Sequence, residues 1–467
     1  MNKETRIQKI AQVIERDKEK PYGRVDIPWK DKLEPMPVYQ IPLDCLVYNK
    51  YNGRILSRTK SLENQGQGHA INAESDEGRQ LIEKLLLDSN PTRNKQTFES
   101  IEKIGQEKVG IITRDGIIID GNRRAMLLRR AEKFDYFKTV VLDVTLEENP
   151  LEIEKLETTY QMGEDEKLGY NAIEKYLKAK GLNQRGITDD EIANWMGESS
   201  ETIKEYLAVM KTMDDYLDYL EYNGIYTQLD GREDLFINLT KWLSNFYGEN
   251  SSKAFDGYRN DDVDDLKLIS YDYIRAKYEG KEFRIIAAGL RESHFFGDKI
   301  IWKDFCKFHF GHKDKIKDAE DKIDFRSEDL ESHLNSRDQK FLKRTQNEQG
   351  KSFLDENIDI HKQQLRYKQS ANEPLKLVND AEGALGAIDY RHKASSAPEV
   401  LNRIQDINSK TLEILKEKSP ERLLSQVIHM LGSIKFNKEL ESKEELLTKI
   451  KEIEKIAYHM EKDVKKL

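Results

Sequence analysis

VGIITRDGIIIDGNRRAMLLRRAEKFDYFKTVVLDVTL, residues 109–146, decides the fold. Two short apolar runs, 109–113 and 117–119, flank Arg114-Asp115-Gly116. Asp-Gly between β-branched runs signals a hairpin, because the turn needs residues that tolerate positive φ. The second strand is expected to end at Asp120. Gly121 permits a sharp exit, residues 122–132 then carry Ala125, Leu127, Leu128 and Ala131 at helical spacing, and residues 138–144 return as a strand. A glycine-led helix N-terminus bearing Arg123 and Arg124 suits a phosphate. Free backbone N–H groups, the helix dipole and two guanidinium forks all favour the same anion.

Upstream, residues 38–48 read as a strand rich in β-branched and aromatic side chains, 49–75 as a long polar loop, and 77–87 as a helix through Leu81, Ile82 and Leu85. The first 35 residues read as an adaptable arm, since the prolines of PYGRVDIPWKDKLEPMP oppose a continuous helix or a central strand. Downstream, GITDDEIANWMGESSETIKEYLAVMK, residues 186–211, has Thr188 as an N-cap over an acidic first turn, Gly197 as a stop, and Ser199 or Ser200 as a second cap. Ile192, Ala193 and Met196 face Ile203, Leu207 and Met210. Two short helices about a glycine turn form a helix-turn-helix. Its exposed hydrogen-bonding groups are Ser199, Ser200, Thr202 and Lys204, the candidate DNA contacts. The same 26 residues hold six carboxylates against Lys204 and Lys211, so phosphate contacts would come from elsewhere.

The whole chain has 77 basic and 86 acidic residues, a net charge of -9 and a mean hydropathy of -0.78. That excludes a generally basic nucleic-acid coat and describes a highly charged, helix-rich protein. No run approaches the roughly 18 apolar residues of a membrane span, and MNKETRIQKI has no apolar signal core, so a cytoplasmic location without membrane partners is expected. Cys45 and Cys306 lack paired spacing and read as core. His309, His312 and His361 sit in a charged segment and read as solvent-facing, and no metal ligand set is assigned. Residues 230–340 read as mainly helical with short strands near FRIIAAGL and KIIWKDF. In the last stretch Leu446, Ile450, Ile453, Ala457, Met460, Val464 and Leu467 alternate steps of four and three behind a capping box at residues 442–445. This coiled-coil seam pairs either between two subunits or within the chain against Leu423, Leu424, Val427 and Leu431.

The order strand, helix, hairpin, Gly-x-Arg-Arg helix, strand, helices and helix-turn-helix resembles the ParB/sulfiredoxin superfamily over residues 36 to about 225. The family's Gly-Glu-Arg-Arg box followed by alanine stands here as Gly121-Asn122-Arg123-Arg124-Ala125, and its earlier arginine box falls on Asn52-Gly53-Arg54. A Glu-Asn-x-x-Gln-like run is matched to Thr158-Thr159-Tyr160-Gln161-Met162, which keeps the glutamine and lacks the acid. The resemblance implies an α+β nucleotide-binding domain at 36–146 and a helical domain with the helix-turn-helix at 147–229. A mainly helical domain at 230–340 and a helical C-terminal region with a dimerisation coil at 341–467 follow outside it. It further implies a nucleoside triphosphate, CTP or ATP, with Mg2+, held by Arg54, Gly121, Asn122, Arg123, Arg124 and Gln161. Asp120 and Asn122 are then the catalytic candidates.

The function implied is nucleotide-dependent DNA binding by a homodimer, in a divergent relative from a mobile element or defence locus. Two other classes stay open. One is an enzyme of the same fold, an NTPase, nuclease or kinase, although Asn122 stands where sulfiredoxin chemistry needs a cysteine. The other is a scaffold whose acidic helix-turn-helix contacts a protein encoded nearby.

Overall fold

The computed structural model describes residues 1–66, 70–162, 171–316, 329–434 and 443–466. It is a mixed α+β chain, a small N-terminal sheet followed by helices, in two units, Met1–Ala371 and Asn372–Leu467.

The first unit begins with helix α1 (Lys3–Asp17), capped by the Asn2 side chain, which accepts from Thr5 N–H. Strands β1 (Gly23–Trp29) and β2 (Lys32–Pro42) form an antiparallel hairpin turned by Lys30 and Asp31 at positive φ. The first 35 residues are therefore structured, contrary to the arm expected from their prolines. The prolines fit because Pro28 lies on the sheet edge, while Pro35 and Pro37 precede the stretch of β2, from Val38 on, that also pairs with the next strand. Buried Arg6 ties α1 to the turn at residues 113–117, donating from Nε to the carbonyl of Asp115, and to Glu74 from Nη2.

Three helices follow, α2 (Leu56–Gln65), α3 (Asp76–Ser89) and α4 (Pro91–Ile104). Helix α2 falls inside the segment expected to be loop. Its buried positions include Ser57, Thr59 and Ser61, so it has a polar face that apolar periodicity cannot reveal. Then come β3 (Gly110–Ile112), β4 (Ile118–Asp120), α5 (Asn122–Ala131) and β5 (Tyr136–Val141), as the pattern of residues 109–146 predicts. The sheet runs β1-β2-β5-β3-β4, with β3 parallel to β5 and the other pairs antiparallel. Alternation along the strands divides the core. Ile41, Ile112, Ile118 and Phe137 pack with α1, α3, α4 and α5 on one face. Ile27, Val38, Ile111, Ile119 and Val140 pack with Ile153 and Leu156 of α6 (Pro150–Met162) on the other.

The helix-turn-helix forms as its sequence predicts. It comprises α7 (Ala172–Gln184), α8 (Asp189–Met196) and α9 (Ser200–Tyr219), with a Thr188–Glu191 capping box and Gly197 at φ 61°. Its small core joins Ala179, Leu182, Ile192, Ala193, Trp195, Met196 and Ile203. The rest of the unit is α10 (Glu233–Phe246), α11 (Asn260–Arg275), α12 (Gly280–Arg284), α13 (Lys299–Lys313), α14 (Leu330–Thr345) and α15 (Phe353–Gln369). These share one large core with α2, α7 and α9, so the packing does not break near residue 229. Neither FRIIAAGL nor KIIWKDF forms a strand. Ile301, Trp302 and Phe305 are buried together on α13, a helical spacing.

The second unit comprises α16 (Pro374–Gly386), α17 (Pro398–Lys418), α18 (Pro420–Ser433) and α19 (Lys443–Val464). None of its described residues is buried. Ser442 and Leu467 of the expected cap and seam lie outside the described residues.

Candidate functional site

Gly121 sits at φ 106°, a left-handed conformation that ends β4 and starts α5 in one step. A Cβ there would lie 2.6 Å from Phe137 Cζ, inside the packed core. The glycine is therefore required twice, by backbone geometry and by space. The first turn of α5 borders a groove of about 450 Å³. The lining of this groove comprises residues 120–124 around the start of α5, Asn52 and Arg54 before α2, Arg93, Gln96, Thr97, Ser100 and Ile101 of α4, and residues 105–108.

The structure thus brings Arg54, Gly121, Asn122, Arg123 and Arg124 together as the sequence predicts. It adds Arg93 and Lys108, which sequence reasoning missed. Arg93 stands with Gln96, Thr97 and Ser100 at helical spacing, a polar stripe of α4 that shares the groove lining with Gly121. Five cations line the groove against two carboxylates, Glu107 and Asp120, within a chain of net charge -9. A volume of this size and a cationic lining fit a small polyanion.

The two catalytic candidates are both engaged. Asp120 Oδ2 accepts from Arg124 Nη2 at 2.6 Å, so the carboxylate orients a guanidinium. Asn122 is buried; its Oδ1 accepts from Asn49 N–H at 2.9 Å and its amide donates to the Ile118 carbonyl at 3.3 Å. Its side chain is a clamp between the loop at 49 and the helix start, which leaves its backbone as the part suited to a ligand.

Gln161 is in the last turn of α6, and its side chain lies outside the described residues. One residue before Thr158, Glu157 is buried and accepts from Asn49 Nδ2 at 3.0 Å. Glu157 Oε2 lies 3.5 Å from Lys178 Nζ of α7. Thr158 instead turns its hydroxyl to the Glu154 carbonyl at 2.7 Å. A second attachment runs from α7 to α2. Glu174 is wholly buried, accepting from Ser57 N–H at 3.0 Å and from the Ser57 hydroxyl at 2.6 Å. Burial pushes its carboxyl up to about 7, opposed by those hydrogen bonds.

At the helix-turn-helix, the hydroxyls expected to meet DNA are used locally. Ser199 caps α9 through Thr202 N–H at 3.1 Å and bonds the Thr202 hydroxyl at 3.0 Å, and Ser200 donates to Asp190. Lys204 stays exposed.

Of the three histidines expected to face solvent, His309 and His361 are buried, while His312 is half-buried against Phe308 and Phe353. His309 is fully buried 2.9 Å from Asp272, which also holds Lys313 at 2.7 Å, and buried His361 donates from Nδ1 to the Asn357 carbonyl at 2.7 Å. They lie among the rings of Tyr273, Phe305 and Phe353, a packing role that a charged local sequence conceals. Among the described residues, no group of three or more His, Cys, Asp or Glu could hold a metal ion. Cys45 and Cys306 are both free and buried. No described helix is long and apolar enough to cross a membrane.

No family model matches the chain. No curated protein matches it at a significant level.

Proposed function

We propose that the chain is a ParB/sulfiredoxin-type protein that binds a nucleoside triphosphate in the groove over Gly121 and acts through its helix-turn-helix. The observation that carries this reading is the convergence of Arg54, Arg93, Lys108, Arg123 and Arg124 on a helix N-terminus introduced by a required glycine. A triphosphate supplies the three or four negative charges that such a lining compensates, roughly one charge-assisted contact for each cation. CTP and ATP are the candidates. Mg2+ bound with the phosphates would meet Asp120 or Glu107, the two carboxylates of the lining.

The partner of the helix-turn-helix is DNA in the first reading. A protein partner is the second, favoured by the local use of Ser199, Ser200 and Thr202 and by the six carboxylates around Lys204. The test is a calorimetric panel of the four NTPs, followed by low-salt titration of duplex DNA against wild type and Lys204→Glu, with and without the bound nucleotide. Binding of one or more NTPs, and DNA binding that rises with nucleotide and falls in Lys204→Glu, supports the first reading. DNA binding by neither protein supports the second, and no NTP binding overturns the site.

A further inference from the structure

The loop at residues 49–57 carries Asn52 and Arg54, two residues of the groove lining. It is a tight double turn: Asn52 N–H donates to the Asn49 carbonyl at 3.1 Å and Ile55 N–H to the Asn52 carbonyl at 3.0 Å. The Asn49 and Asn52 side chains accept from Tyr51 N–H and Arg54 N–H, at 3.0 and 3.2 Å. Contacts at the two ends of the loop help to set where Arg54 stands.

The far end is held directly from α7, and the near end by Glu157 of α6, which Lys178 of α7 backs, together with Asn122 of α5. At the far end Glu174 takes the N–H and hydroxyl of Ser57, satisfying an otherwise open donor in the first turn of α2. At the near end Asn49 is held by Glu157, which Lys178 neutralises at 3.5 Å. Glu174 and Lys178 are four residues apart, on one face of α7, and neither lines the groove. All of these side chains are buried, so losing either partner leaves a desolvated group unsatisfied, and the arrangement is held in one geometry.

From this bracket we infer that Glu174 and Lys178 are positioning residues of the anion groove, fixing the 49–57 loop so that Arg54 meets the phosphates. The inference rests on the groove being a triphosphate site. Ligand binding then favours the docked position of α7, and with it α8 and α9, by mass action.

The test uses the full chain and inorganic tripolyphosphate, which presents the phosphate chain without a base, titrated by calorimetry. Glu174→Ala should weaken binding by about tenfold, the cost of one unsatisfied buried donor passed to the site. Glu174→Gln, which keeps an acceptor for Ser57, should restore most of it. In an Arg54→Ala background the Glu174→Ala effect should vanish, because the positioning acts through Arg54. Should Glu174→Ala fail to fold, Lys178→Met carries the same comparison. Unchanged affinity in both Glu174→Ala and Lys178→Met, with Arg54→Ala weakened, overturns the positioning role and leaves the site standing. An equal loss with and without Arg54 overturns it too, as general destabilisation. Absence of binding by wild type overturns the site and the inference together.

Discussion

Arg124 Nη2 lies 2.6 Å from Asp120 Oδ2, one helical turn away across Gly121. The pair is largely shielded, both side chains being 16% exposed, so the contact orients the guanidinium more firmly than a surface ion pair would. Asp120 is therefore a restraint on a phosphate ligand as well as the acid nearest the loop, and the two roles separate by mutation. Asp120→Asn keeps an acceptor for Arg124 and removes a negative charge from the lining, so triphosphate affinity should hold or rise. Any NTP hydrolysis that uses the carboxylate should fall by at least about 100-fold. Arg123→Ala and Arg124→Ala should each weaken binding by about tenfold or more. Calorimetry and phosphate release measure the two effects. Unchanged affinity in both arginine variants would remove the groove from consideration.

Gly121→Ala should damage the molecule and not merely the ligand contact. At φ 106° an L-residue is strained, and its Cβ would sit 2.6 Å from a ring that cannot withdraw, since Phe137 is fully buried. A loss of roughly 1–3 kcal/mol is expected. Gly110→Ala meets the same ring at 2.3 Å and the Asp120 carbonyl at 2.9 Å, so it should behave alike. Thermal unfolding reads both. A Gly121→Ala protein with wild-type Tm and wild-type affinity would contradict the packing described.

Two buried groups give stability opposite dependences on pH. Burial raises Glu174 from an ordinary 4.5 to about 7, so the folded chain holds that proton more tightly. Its contribution is complete below pH 4.5 and is lost as pH rises through 7. Burial lowers His294 from 6.5 to about 4. Its contribution is complete above pH 6.5 and is lost as pH falls through 4. Each is on the order of 3 kcal/mol at most, by conversion of the shift. Denaturant midpoints between pH 4 and 8 should show Glu174→Gln removing the decline toward high pH and His294→Phe removing the decline toward low pH. If neither variant changes its slope, these groups are not the source of the dependence.

What the sequence made legible follows from how each element earns its stability. Residues 109–146 bury apolar side chains at period two and then 3.6, and both turns rest on glycine, so strands β3 to β5 and the glycine turn into α5 were readable directly. Helix α2 was not, because Ser57 and Ser61 satisfy buried polar partners on α7 and at Thr227, an arrangement that only the fold supplies. β1 was hidden by prolines that an edge strand tolerates. Arg93 was invisible as a site residue because nothing in residues 91–104 says what else lines the groove. Glu157 was passed over because its partner Asn49 is far away in sequence, a pairing that only the fold supplies.

The C-terminal unit should associate with a second copy. Helices of 13 to 22 residues are marginal in water without a packed face, yet Leu375, Ile404, Leu424, Ile428, Ile450 and Ile453 are all exposed. The ion pairs along α19 and at its end, Lys449–Glu445, Lys465–Glu461 and Lys466–Asp463, are surface pairs of little worth, so they do not replace a core. Residues 372–467 hold 17 basic and 17 acidic side chains, leaving the whole -9 on the first unit, so two copies of this unit meet without net repulsion. The alternating four-three spacing from Leu446 to Val464 supplies a seam for them. Sedimentation equilibrium should give a dimer for the full chain and a monomer for a chain ending at Ala371, whose own melting should persist because its core lies within Met1–Ala371. Ile450→Asp combined with Ile453→Asp should shift the full chain toward monomer as well. The same stoichiometry in all three proteins would mean that these apolar faces are covered by something other than a copy of the chain.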